Sequence, residues 1–282
     1  MSHTNKKKAC FSTWCTDDYV ERVGLKKLQN SLKYFHPDVP HYVYTTEDVT
    51  RARETYSDFT DLHQCMIPVQ PIERKLIEKY DIVIHIDADS TVTGSLDEIL
   101  EGDYEVACVR NNSDHGTAGC HPGESIYDPY LKNVIQWQDF VNAGLIASTK
   151  ADFWTDWFGA NKLNAKNHAG HEQDVLNCML NSGRYKAKLL DPLGSNVSYG
   201  VSNAWGPFTP REHNVIRHWD SWTGAFMKDE KLYIPNIHGT PVEVKVLHVA
   251  GGCNAPHMKQ DHKQYGFSDE VLKYIDKVTA DS

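Results

Sequence analysis

The sequence predicts an α/β protein, with a mostly parallel sheet flanked by helices, built as one compact domain over residues 1–282. Three observations carry that prediction. Strand-length apolar runs alternate with stretches whose apolar residues recur at helical spacing. The 282 residues, 40% of them hydrophobic, suffice to bury a core without staples, and no repeat or low-complexity linker divides them. The seven cysteines are scattered with no Cys-x-x-Cys pair, which disfavours a zinc ribbon or thioredoxin-type site.

The elements follow in order. Ala9 to Cys15 reads as a strand, and about Asp18 to Phe35 as a helix, because Leu25, Leu28, Leu32 and Phe35 form an apolar stripe of helical period. His41 to Thr45 is a second short strand, and Ile72 to Tyr80 a helix. Ile82-Val83-Ile84-His85-Ile86 is a β-branched run of the buried-strand type. Tyr104 to Val109 and Phe140 to Ser148 are further strands. Ligands of such sheets bind beyond the carboxyl ends of the strands, so the residues that follow each strand matter most.

Charge narrows the function. Lys and Arg number 29 against 38 Asp and Glu, a net charge of −9 spread along the chain. Nucleic acids and anionic membranes need clustered cations, and the one basic run, Lys6 to Lys8, is short. No apolar segment follows those lysines, and no run approaches the roughly 18 apolar residues of a membrane span. The expectation is a reduced, cytoplasmic protein with no membrane span, unless the chain is a catalytic domain trimmed of its anchor.

Past the most apolar strand stands Asp87-Ala88-Asp89. Two carboxylates one residue apart beside a buried strand repel each other, and a divalent cation resolves the repulsion. Hard oxygen ligands suit Mg²⁺ or Mn²⁺. The other reading is a strand that simply ends in two solvated acids.

Several further motifs stand in a fixed order. Phe11-Ser12-Thr13-Trp14-Cys15-Thr16-Asp17-Asp18-Tyr19 opens the chain, and Tyr80 to Asp89 leads into the acidic pair. Phe140-Val141-Asn142-Ala143-Gly144-Leu145 and His171-Glu172-Gln173-Asp174-Val175-Leu176-Asn177 follow, then Val244-Lys245-Val246-Leu247-His248-Val249-Ala250-Gly251. Together they resemble the glycogenin-like (family eight) retaining glycosyltransferases, which have a GT-A fold. The resemblance spans roughly Phe11 to Lys259.

The resemblance implies a nucleotide- and metal-binding half over about residues 9–110 and a donor-sugar and acceptor half over about 111–282. It implies that Tyr19 stacks on the uracil of a UDP-sugar, with Thr13, Cys15 and Thr16 lining the base. Asp87, Asp89 and His248 would hold Mn²⁺ or Mg²⁺, with Ala88 between the acids. Asn142 would touch the donor sugar, and Glu172, Gln173 and Asp174 would face the anomeric carbon, with Glu172 the preferred stabiliser of the oxocarbenium-like centre. The sequence departs from the family at the diphosphate. Where the family has a lysine six residues after the histidine, this chain has Asn254, which leaves Lys259 as the nearest downstream lysine and Arg74 or Lys75 as upstream candidates.

The function implied is metal-dependent transfer of a hexose from a UDP-sugar to a sugar or protein-linked acceptor, with retention of configuration. The polar stretch Asn111 to Asp128 is a candidate lid, and Trp205 a candidate acceptor platform. Two alternatives stand beside this. Asp87-Ala88-Asp89-Ser90-Thr91 also fits a haloacid-dehalogenase-type phosphatase with Asp87 as nucleophile, although no downstream Gly-Asp-x-x-x-Asp completes it. The third reading is a non-catalytic carbohydrate-binding domain on the same fold.

Overall fold

The structure, a computed structural model, describes residues 7–15, 24–56, 66–110, 141–167, 172–190, 197–198, 201–203, 224–235, 241–250 and 267–281. The first half runs through β1 (Ala9–Trp14), α1 (Leu25–Phe35), β2 (His41–Tyr44), α2 (Thr46–Thr55), α3 (Met66–Glu73) and α4 (Leu76–Lys79). It continues through β3 (Ile82–Ile86), β4 (Ser90–Val92), α5 (Asp97–Leu100) and β5 (Val106–Arg110). The second half holds β6 (Val141–Ser148), α6 (Ala151–Asn167), α7 (Glu172–Asn181), β7 (Ala187–Leu189), β8 (Val197–Ser198) and β9 (Val201–Asn203). It ends in β10 (Phe226–Lys228), β11 (Lys231–Pro235), β12 (Pro241–Val244), β13 (Val246–Ala250) and α8 (Asp269–Thr279).

Six strands form the central sheet in the order β2-β1-β3-β6-β5-β7. β1 pairs in parallel with β2 and β3, and β5 with β7, while β6 runs antiparallel to both neighbours. The sheet is therefore mostly parallel, as the alternation predicts, with one reversed strand. All eight residues of β6 are buried, and an unbroken apolar run carries no signal of strand direction. Strand alternation splits β3 between two layers. Ile82, Ile84 and Ile86 pack with Leu28 and Leu32 of α1, while Val83 joins Phe153, Trp154 and Trp157 of α6 on the other face.

One predicted element is divided in the structure. The helix expected over Ile72 to Tyr80 is two helices, because Lys75 takes a left-handed φ of 53° and ends the hydrogen-bonded run. α3 starts upstream at Met66 and tolerates Pro71, whose ring removes one backbone donor. The motif run that begins at Val244 is divided between two strands, β12 and β13, in different sheets.

Two small sheets, β10-β11-β12-β8 and β4-β13-β9, complete the described residues. The β10–β11 hairpin turns at Asp229 and Glu230, both at positive φ, as a two-residue turn matched to strand twist requires. The second sheet matters most for function, since β4 and β13 pair antiparallel with Ser90 opposite His248. Among the described residues, no helix is long and apolar enough to cross a membrane.

Candidate metal centre

The centre is built by a tight turn after β3. The Asp87 N–H donates to the Gly144 carbonyl of β6 at 2.9 Å, and the Ser90 N–H donates back to the Asp87 carbonyl at 3.1 Å. This turn reverses the chain into β4, so Asp87 and Asp89 lie beside the strand that faces His248. His248 Nε2 lies 3.0 Å from Asp89 Oδ1 and 3.3 Å from Asp87 Oδ2. One ligand atom from each of the three residues lies within 4.8 Å of the others. Asp89 and His248 are buried, and Asp87 is part-exposed.

The electrostatics couple the three groups closely. Asp89 Oδ1 and His248 Nε2 are buried with no aligned hydrogen-bond partner among the described residues. Burial alone would lower the His248 pKa, but the facing charges of Asp89 and Asp87 raise it to about 10. Burial would raise Asp87, yet His248 and His85 hold it below the usual carboxylate range. Burial, together with the neighbouring Asp87 charge, keeps Asp89 above that range despite His248. The two acids are thus driven apart in proton affinity, as closely held like charges are.

β6 supplies the second wall through a bulge. On its β5 side, Cys108 pairs with Ile146 but Val109 pairs with Asn142, so Ala143 to Leu145 leave the ladder. Their freed donors find side chains. The Ala143 N–H donates to Gln173 Oε1 at 2.9 Å, and the Gly144 N–H to Asn142 Oδ1 at 2.7 Å. Asn177 clamps the start of β6, accepting from the Val141 N–H at 2.7 Å and donating to its carbonyl at 2.9 Å. α7 is thereby docked with its first residue, Glu172, on the same cavity as the acids. Gly144 admits no side chain, because a Cβ there would lie 2.1 Å from His248 Cε1 and 2.7 Å from Asn142 Oδ1.

The resulting cavity, about 150 Å³, is lined on one side by Trp14, Cys15 and Ile67. Asp87, Ala88 and Asp89 form its floor, and Ala143, Gly144, Glu172 and Gln173 face them. It opens at the carboxyl end of β3, where ligands of such sheets bind. A larger cleft of about 770 Å³ lies at the opposite end, beside Lys7, Tyr80, Asp81 and Lys150. Lys7 is tied to the Gly102 carbonyl and Lys150 to Glu105, and among the described residues the cleft gathers no metal-ligating group of three. The Asp87, Asp89 and His248 cluster borders the smaller cavity.

Of the residues named from sequence, Cys15, Asp87, Ala88, Asp89, Glu172 and Gln173 line this cavity, His248 abuts its acids, and Asn142 supports its wall. Thr13 is placed differently. It is fully buried, donating to the Ile86 carbonyl at 2.7 Å and accepting from His41 Nε2 at 2.9 Å, so its hydroxyl ties strands together. Arg74 also lies away from the cavity lining. Its guanidinium donates to Asp48 at 2.6 Å and to the Val43 carbonyl at 3.0 Å. Thr16, Tyr19, Lys259, Gly251, the 111–128 stretch, Trp205 and the side chain of Asp174 lie outside the described residues.

Sequence reasoning gave no role to His85, Gly144, Trp14 and Ile67. His85 had a readable signal, as the one polar residue in an otherwise aliphatic strand. Trp14 and Ile67 had none, since apolar residues beside a strand are ordinary core.

No family model matches the chain, and no curated protein matches it. Among solved structures, it is similar to the bifunctional glycosyltransferase WbbM, at 15% identity and a TM-score of 0.41 over 72% of this chain and 41% of that one. It is similar to the glycosyltransferase GlyE of Streptococcus pneumoniae TIGR4, at 17% identity and a TM-score of 0.39, over 65% of this chain and 45% of GlyE. It is also similar to the galactosyltransferase LgtC, solved with donor and acceptor sugar analogues, at 13% identity and a TM-score of 0.46 over 96% of this chain and 97% of LgtC. The chain thus spans less than half the length of the first two. Identities and TM-scores this low leave the chemistry to be argued from the chain's own residues.

Proposed function

We propose that the chain is a metal-dependent glycosyltransferase with a GT-A fold, moving a hexose from a UDP-sugar to a sugar or protein-linked acceptor with retention of configuration. One observation carries the reading: His248, far along the sequence, meets Asp87 and Asp89 beyond the carboxyl end of β3. The donor set fits Mn²⁺ or Mg²⁺ by three tests. Two carboxylates and one imidazole are acceptable ligands for Mn²⁺. Two of their ligand atoms are buried without an aligned hydrogen bond. The histidine is seated against a glycine that leaves no space for a side chain.

When bound, the cation would neutralise charge developing on the diphosphate leaving group. The other roles fall to the chain. Glu172, at the rim of the cavity, is suited to face a centre that gains positive charge as the sugar–phosphate bond breaks. Gln173 uses its carbonyl oxygen on β6, which leaves only N–H donors for a ligand. Asn142 is in the same position. Cys15 and Trp14 form the wall suited to the base or the sugar ring. Thr16 and Tyr19 for the uracil, Asp174 beside the anomeric carbon and Lys259 for the diphosphate remain part of the proposal from the sequence resemblance. With Arg74 engaged by Asp48, Lys259 is the preferred cation.

A phosphatase with Asp87 as nucleophile is less well supported. Asp87 has one oxygen on His85 and the other toward His248, and a histidine rather than a further acid completes the cluster. The transferase reading predicts that UDP raises the melting temperature only when Mn²⁺ or Mg²⁺ is present. It further predicts that a panel of UDP-sugars contains one that is hydrolysed in a metal-dependent way. Turnover of p-nitrophenyl phosphate with no UDP-linked shift would replace it with the phosphatase.

A further inference from the structure

β3 contains one polar side chain among four aliphatic ones, and all five are buried. His85 is fully inaccessible to solvent. Its Nε2–H donates to Asp87 Oδ1 at 2.9 Å, and its Nδ1 has no hydrogen-bond partner among the described residues. A buried imidazole with one nitrogen unsatisfied is a costly way to fill space that Ile or Val fills elsewhere in the strand. The packing of β3 therefore does not account for it, and the contact with Asp87 does. Residues 85 and 87 are two apart, so the strand's alternation brings them to the same side.

The effect on Asp87 is geometric. With Oδ1 held by His85, the carboxylate cannot rotate freely, and Oδ2 is the oxygen turned toward His248, 3.3 Å away. Asp89 Oδ1 faces His248 and is buried without an aligned hydrogen bond among the described residues. The part-exposed acid of the pair is thus the one that is braced.

We propose that His85 is a positioning residue, whose Nε2–H fixes the Asp87 carboxylate so that one oxygen is committed to the protein and the other to a divalent cation. This rests on the metal-site reading above. Partners behind a ligand are worth about 10–100-fold in metal affinity.

The test compares Mn²⁺ binding, alone and with UDP, by electron paramagnetic resonance of free Mn²⁺, alongside metal-free melting curves. His85→Leu removes the donor and is expected to weaken Mn²⁺ binding by about 10–100-fold. His85→Gln places an amide N–H near the Nε2 position and is expected to restore affinity to within about threefold, whereas His85→Asn reaches only the Nδ1 position and is expected not to. Wild-type affinity in His85→Leu, or equal affinities for the Gln and Asn variants, overturns the positioning role. Should His85→Leu fail to fold, the Gln–Asn pair carries the test, since both are buried amides that differ in reach. Asp87→Asn and His248→Ala separate the two levels of the proposal. If wild type takes up no Mn²⁺, or both of these variants bind it unchanged, the metal site itself falls. If they lose binding and His85→Leu does not, only the role of His85 falls.

Discussion

Asp48 and the pair Asp87–Asp89 follow the carboxyl ends of β2 and β3, on either side of β1, and their carboxylates are held in different ways. Asp48, in the first turn of α2, caps its helix by accepting from the Thr45 N–H at 2.8 Å, and it receives the guanidinium groups of Arg51 and Arg74. Both of its oxygens are satisfied by the protein. Asp87 and Asp89 are given one histidine in front and one behind, and Asp89 Oδ1 still has no aligned hydrogen bond. The protein surrounds one buried acid with arginine and leaves the other two without any, between two histidines. The charge count cannot distinguish these acids, and the geometry does.

The comparison breaks most readily at the metal centre. Asp89→Asn or His248→Ala is expected to lower metal-dependent UDP-sugar turnover by about 100-fold or more while the protein stays folded. Turnover assays with melting curves check this, and retained turnover removes that residue from the ligand set. Gly144→Ala comes next. Its Cβ would collide with the His248 ring, so a loss of about 1–3 kcal/mol of stability is expected by denaturant titration, with weaker Mn²⁺ binding. Unchanged Mn²⁺ affinity in that variant would mean that His248 is not held by the glycine.

Proton competition sharpens the contrast further. With its metal-free pKa raised to about 10, His248 is protonated at neutral pH and must release that proton to become a ligand. Mn²⁺ affinity is therefore expected to rise about tenfold per pH unit between roughly pH 6 and 8, measured by titration at fixed ionic strength. A flat profile would contradict the ligand role.

Asp48 gives the smallest expected effect, with the opposite pH sense. Burial tends to raise its carboxyl, but the Thr45 N–H, Arg74 and Arg51 outweigh burial and lower it from 3.8. A lowered folded-state value means that the contribution is present above the ordinary carboxylate value and is lost as pH falls through the folded one. Asp48→Ala should cost about 1–2 kcal/mol at neutral pH, shrink that difference in acid, and leave Mn²⁺ affinity unchanged. A Mn²⁺ defect in this variant would join the two clusters and undo the distinction.

Much of this layout is legible in the sequence, and the reasons are local. The stripe Leu25, Leu28, Leu32 and Phe35 gives α1 because helical spacing is periodic, and β3 is announced by its β-branched run. Asp87 and Asp89 are visible because they interrupt that pattern. The direction of β6, its bulge at Ala143 to Leu145 and the engagement of Arg74 by Asp48 are not visible, since each depends on partners far along the chain. Thr13 shows the limit from the other side: its motif position suggested a ligand contact, while its hydroxyl closes a bond between strands.

The pairing of β4 with β13 has a consequence for assembly. Ser90 and His248 are opposite one another across most of the chain's length, and neighbouring strands in register determine which face His248 occupies. A slip of one residue would turn the imidazole away from both acids. Contacts so distant in sequence form slowly, after the shorter-range pairings of the first half. During refolding, Mn²⁺ uptake would then be a late event that reports closure of the C-terminal strands, and until that moment the two aspartates face each other with no imidazole between them.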